Sequence, residues 1–177
     1  VDDNRIKLIN NPQNIGLTKS LNIGIANSTG EYIARLDAGD ICYHDRLEKQ
    51  VNFLDKNKDV GLLGSWAFVV DDNRKKLKEL KYPTDDTKIK NDLIKYNPFV
   101  HSSIMFRKSM AKQVGFYNED YFYAQDYELY FKFFPVTKFA NIPLPLVEYR
   151  RYSKSITSTK NREQVLFANK ARKYAIK

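Results

Sequence analysis

Apolar residues along this chain fall into short blocks, some alternating every second position and others recurring about every fourth. Residues 5–10 alternate as a strand does and are closed by Asn11-Pro12. Leu17, Leu21 and Ile25 then form the stripe of an amphipathic helix, started near Asn14 or Thr18 and stopped by Gly30. Tyr32, Ile33, Ala34 and Leu36 suit a strand covered on both faces. Strand, helix, strand is therefore the expected opening unit, with a right-handed parallel crossover. A helix over residues 45–56 follows, with Leu47, Val51 and Leu54 as its buried face. Residues 60–70 form a long β-branched strand, and 75–80 return as its hairpin partner after a tight turn.

The second half alternates in the same way. A helix starts at Thr84-Asp85-Asp86 and breaks at Asn97-Pro98; residues 100–106 read as a strand and 109–114 as a short helix. Residues 121–134 make the most aromatic helix, ended by Pro135. Two short strands over 139–142 and 146–149, separated by proline turns, precede a basic helix over 162–176. The pattern predicts an α/β fold in one domain over residues 1–158, with 159–177 as a basic C-terminal helix.

Composition narrows this only a little. The chain has 177 residues, enough for one real core and little more. At 42% hydrophobic it is too apolar for disorder. The net charge of +9 suits anionic partners such as nucleotides, acidic polymers or a membrane surface. A solvated lysine surface accounts for the same excess. Basic residues are scattered and no nucleic-acid motif accompanies them, so a basic nucleic-acid-binding domain is the weakest class and no nucleic-acid partner is expected. Cys42 is the single cysteine, which excludes an internal disulfide and fits a reducing, cytoplasmic location.

Candidate chemistry gathers where the strand at Tyr32 ends, at Asp37-Ala38-Gly39-Asp40. Ligands of α/β sheets collect beyond the carboxyl ends of strands. Two carboxylates there suit a hard divalent cation that also holds a diphosphate, although the same four residues are good turn chemistry. Arg35 shares the face of Asp37 by two-residue alternation, so it needs a carboxylate or a phosphate close by.

Several stretches in fixed order carry a family resemblance. They are Asn14-x-Gly16-Leu17, Leu21-Asn22-x-Gly24-Ile25, Gly30 through Asp40, and Asp45-Arg46-Leu47-Glu48-Lys49-Gln50. They continue with Val60-Gly61-Leu62-Leu63-Gly64, Asn97-Pro98-x-x-His101-Ser102-Ser103-x-Met105-Phe106-Arg107-Lys108 and Ala124-Gln125-Asp126-Tyr127-Glu128-Leu129. Tyr149-Arg150 and Ser155-Ile156-Thr157 complete the set, over about residues 10–158. Together they resemble family 2 of the inverting glycosyltransferases. The resemblance implies a GT-A-like, Rossmann-related, mixed and mainly parallel sheet flanked by helices. It implies transfer of a sugar from a nucleotide-diphosphate donor to a saccharide, lipid-linked or protein acceptor, with inversion. Asp37 then matches the first acid of a motif that holds Mg²⁺ or Mn²⁺ against the diphosphate, with Asp40 as its partner. Asp126 matches the catalytic base, against the plainer reading of a carboxylate at a helix start. Arg35, His101 and Arg150 are the expected contacts to the bound donor; for Arg35 a structural ion pair is the favoured alternative, and for His101 a structural role. Peripheral association with the cytoplasmic face of a membrane fits both the charge and a lipid-linked acceptor.

Two departures bear on this reading. Gly39 stands where the family commonly has a second Asp, and Tyr152 where it often has a metal-binding His. The stretches also correspond to the C-terminal two-thirds of such an enzyme, so an N-terminally incomplete fold is expected. A non-catalytic remnant kept as an interaction module is the competing reading.

Overall fold

The structure, a computed structural model, describes residues 3–151 and 160–175. Its centre is β3 (Val60–Val70), as the long apolar run predicts. Strand β6 (Lys138–Arg150) pairs parallel along the whole of one edge of β3. The other edge is shared: β5 (Met105–Arg107) pairs antiparallel at Leu62 and Leu63, and β4 (Lys76–Leu80) antiparallel from Ala67 onward. β1 (Tyr32–Ala34) pairs antiparallel with β5, and β2 (Ile41–Cys42) antiparallel with β6. The order is β1-β5-β3-β6-β2, with β4 beside β3.

Alternation along the central strands feeds two hydrophobic layers. Leu62, Phe106 and Phe139 point into an aromatic core with Phe99, Tyr127, Tyr130 and Phe133. Their neighbours Leu63, Met105 and Ala140 point the other way, to Leu54. The first layer is closed by α1 (Leu17–Asn27), α3 (Asp86–Leu93), α4 (Lys108–Val114), α5 (Gln125–Phe133) and α6 (Asn161–Ala175). The second is closed by α2 (Arg46–Lys56). Among the described residues, no helix is long and apolar enough to cross a membrane.

The mixed α/β sheet flanked by helices is as expected, but the balance of directions differs. Among the described residues only the β3–β6 pairing is parallel; the other four are antiparallel. Residues 5–10 form no strand: among the described residues no strand pairs with them. Ile6 and Leu8 are exposed there, and the expected opening crossover is not formed. Residues 100–106 are not one strand. His101–Ser103 make a 3₁₀ turn before β5, since the Ser103 hydroxyl and its backbone N–H both donate to Val100 O (2.8 Å each). The two short strands after Phe139 are one strand, β6. Its prolines 143 and 145 precede the point at which β2 begins to pair, so their missing N–H groups cost no ladder bond on that side. The aromatic helix starts at Gln125, after Ala124 in a left-handed conformation. On α2 the buried face is Arg46, Gln50 and Leu54, while Leu47 is half exposed. The Arg46 side chain is satisfied by Gln50 Oε1 (2.9 Å) and the carbonyls of Arg35 (2.8 Å) and Ile104 (3.0 Å). A polar pair at buried helical positions was invisible to a hydrophobic stripe.

Candidate active site

Beyond β1 the backbone keeps contact with its neighbour through Arg35 N–H and Ile104 O (3.0 Å), then turns. Asp40 N–H closes the turn on Asp37 O (3.1 Å), and Gly39 sits in it at φ 95°. That left-handed conformation gives a physical reason for glycine where a second Asp was expected.

The two carboxylates meet at Ser102. Its Oγ accepts Asp37 N–H (3.0 Å), lies 3.1 Å from Asp37 Oδ2 and makes a short hydrogen bond to Asp40 Oδ2. A hydroxyl has one proton, so it donates to one carboxylate at a time. Asp40 Oδ1 accepts Arg150 N–H (2.8 Å), and Asp37 Oδ1 pairs with the Arg35 guanidinium. Burial holds the Asp40 carboxyl above its ordinary range, and the negative charge of Asp37 adds to this; Ser102 and Arg150 N–H oppose it. Two carboxylates and a hydroxyl form a hard oxygen donor set, the kind that suits Mg²⁺ or Mn²⁺ when phosphate oxygens complete the shell. Among the described residues, no group of three or more His, Cys, Asp or Glu converges as a metal cluster.

Asp126 lies in the first turn of α5. Its Oδ2 accepts Asn97 Nδ2 (2.8 Å), and Asn97 Oδ1 in turn accepts Phe99 N–H (3.1 Å). The amide is thereby oriented, with its donor side on Asp126. His101 Nε2 is 2.9 Å from Tyr117 Oη. Burial lowers the His101 pKa, against the pull of Asp126 and Asp37, so the ring is neutral near pH 7. Asp37, Asp40, His101, Asp126 and Arg150 all line one cavity of about 610 Å³, which a stripe of α6 also lines.

Two expected contacts are arranged differently from a bare donor site. Arg150 reaches the cavity, but its Nε and Nη2 lie on Asp72 Oδ1 (3.1 and 3.0 Å). Arg35 is spent on Asp37 and lines a separate cavity of about 380 Å³ beside α1, with Leu21, Ile25 and Ile33. Tyr152 and Ser155-Ile156-Thr157 lie outside the described residues. Sequence reasoning missed the parts played by Ser102 and Asn97. Ser102 stood in an expected strand, and Asn97 was read only as a helix breaker. A polar residue within each motif that no local cap or turn requires was the available signal.

Residues 2–115 match the family described as Glycosyl transferase family 2. The chain belongs to this family. Relatives agree: it is 32% identical to an uncharacterized glycosyltransferase of Haemophilus influenzae over 97% of this chain and 56% of that protein. It is 33% identical to the amylovoran biosynthesis glycosyltransferase AmsE of Erwinia amylovora, over 78% of this chain and 52% of AmsE. It is 31% identical to an Escherichia coli UDP-Gal:alpha-D-GlcNAc-diphosphoundecaprenol beta-1,3-galactosyltransferase, over 68% and 43% respectively. The chain thus spans about half the length of the curated relatives it matches. Residues 1–349 of S. aureus TarS, solved in complex with UDP-GlcNAc, superpose with a TM-score of 0.64 at 15% identity, covering 81% of this chain and 41% of that one. That likeness places the family 2 chain in the GT-A fold.

Proposed function

We propose that this glycosyltransferase family 2 chain moves a sugar from a nucleoside diphosphate to an acceptor hydroxyl, inverting the anomeric centre. One observation carries the reading: the acidic pair and Asp126 face a single cavity from different elements. Asp37 and Asp40 would hold Mg²⁺ or Mn²⁺, whose chemistry when bound is to neutralise charge on the leaving diphosphate. Asp126 takes the proton of the acceptor hydroxyl as its oxygen forms the bond to the anomeric carbon. Asn97 occupies Oδ2 of Asp126 and leaves Oδ1 for that proton. The Ser102 bridge keeps the two acids together before a donor arrives.

The bound nucleotide of TarS and the name of the E. coli relative support a UDP-sugar donor and an acceptor carried on a lipid. The same relatives support a polysaccharide-building step, which we place at the cytoplasmic membrane face. The test is Asp126→Asn in the full-length protein, which keeps shape and removes the proton acceptor. Transfer should fall by about 10² to 10⁴ with donor affinity unchanged. Equal losses of donor affinity and turnover would assign Asp126 a structural role instead.

A further inference from the structure

The two arginines of the main cavity are compensated differently. Arg150 has Asp72 as its counter-ion. Arg172, on α6, is held by three neutral oxygens: Tyr127 Oη (2.9 Å), Asn169 Oδ1 (2.8 Å) and Lys95 O (2.8 Å). Among the described residues no carboxylate forms an ion pair with it. Its guanidinium also lies over the Tyr127 ring, 5.1 Å from the centroid. Tyr127 Oη donates its own proton to Leu93 O, so it can only accept from Arg172.

The result is a guanidinium fixed in place with its charge unneutralised. Three of its five N–H groups are occupied and two remain. It is the one charged member of the α6 stripe on the cavity, whose other members are Asn161, Gln164, Val165 and Ala168. Tyr127, which anchors it, is the residue after Asp126. The cavity therefore holds, beside two carboxylates and Asp126, a preset cation contributed by α6.

We propose that Arg172 is an anion-binding residue on the acceptor side of the cavity. It would select acceptors that carry a phosphate or carboxylate close to the hydroxyl being glycosylated. An arginine fork matches both groups and binds them through charge-assisted pairs. This rests on the assignment of Asp126 as base, which makes its side the acceptor side. The plainer role, pinning α6 to Lys95 and Tyr127, uses two N–H groups and leaves the charge without a counter-ion.

The test is calorimetric titration of the full-length protein without donor or metal, using glucose 1-phosphate, glucuronate and methyl glucoside. At least one anionic sugar should bind more tightly than the neutral one, and the comparison of the two anions decides between phosphate and carboxylate. Arg172→Gln should weaken that sugar about tenfold, and Arg172→Lys, which keeps the charge without the fork, should restore only part of it. Equal binding of all three sugars, or an unaltered affinity in a folded Arg172→Gln protein, overturns the proposal. If Arg172→Gln does not fold, phenylglyoxal modification of Arg172 in the parent protein gives the answer by peptide mass spectrometry. Glucose 1-phosphate or glucuronate should slow it while methyl glucoside does not; equal rates overturn the proposal. Binding of UDP together with Mn²⁺ is titrated separately. Its absence would count against the transfer reading and leave the anion site standing.

Discussion

Replacing Gly64 by alanine should unsettle the support of Asp126 from a distance. A Cβ at position 64 would lie 2.1 Å from Asn141 Oδ1 and 2.7 Å from Phe99 Cδ1, so the neighbours must move. Asn141 is buried, and its Nδ2 donates to Pro83 O (2.8 Å) and Pro98 O (3.2 Å). Its Oδ1 has no hydrogen-bond partner and rests against the glycine. Overpacking costs about 1–3 kcal/mol, and each buried carbonyl that loses its donor costs about 1–3 kcal/mol more. With one of the two donors lost the sum, roughly 2–6 kcal/mol, is a large share of the 5–15 kcal/mol typical of a folded protein. Urea denaturation of Gly64→Ala should show it as a midpoint lowered by roughly 2 M. Asn141→Ala removes the clashing oxygen together with both donors. In that background Gly64→Ala should cost only its Phe99 contact, a coupling of about 1–3 kcal/mol. Strictly additive costs, or a single-mutant cost below about 1 kcal/mol, would refute this reasoning.

Other expectations follow from the same geometry. In the full-length protein, Asp37→Ala should sharply weaken the calorimetric binding of Mn²⁺ with UDP. Ser102→Ala should weaken it less, by about tenfold, because both carboxylates remain and lose only their shared hydroxyl. Burial raises the pKa of Glu128, against the opposing pull of Lys132 and hydrogen bonds from Asn118. A carboxyl that the fold prefers protonated adds stability below its ordinary range, and loses it as pH rises through the raised value. Glu128→Gln should therefore melt higher than the parent at pH 7, with the gap closing below about pH 4.5; a pH-independent difference would contradict this. The outer edge of β1 is unpaired among the described residues, beside an apolar cavity and exposed Leu36. Residues 1–177 expressed alone should self-associate and turn over donor poorly, whereas a monodisperse, active monomer in sedimentation velocity would count against it.

Much of the fold was legible because its elements follow local rules. The β3 run, the β3–β4 hairpin and the Gly115 stop of α4 need only apolar blocks, turn residues and a glycine at φ 83°. What escaped depended on partners distant in sequence. Residues 5–10 carry a strand pattern without a strand to join, and the direction of β1 is set by β5, which lies far along the chain. Arg46 and Gln50 look like surface residues until the carbonyls of Arg35, Ser103 and Ile104 close around them. At the site, the acids and His101 were legible through motifs, since their residue types suit the chemistry. Ser102 and Asn97 act by orienting those groups, and a side chain whose task is to hold another has no pattern of its own.

The turn at His101–Ser103 ties three distant parts of the chain, each through a different side chain. His101 meets Tyr117, Ser102 meets Asp37 and Asp40, and Ser103 meets Ser65 on β3. A strand would have sent the first and third to one face; three residues per turn splay all three apart. In kinetic terms this knot can close only after the loops between those partners have been closed, the longest reaching back to Asp37. Conservative changes such as Ser102→Ala should accelerate unfolding and leave the refolding rate almost untouched. The sheet and its two hydrophobic layers can then assemble before the acidic pair is brought together, so the chemistry is fitted last onto a scaffold already standing.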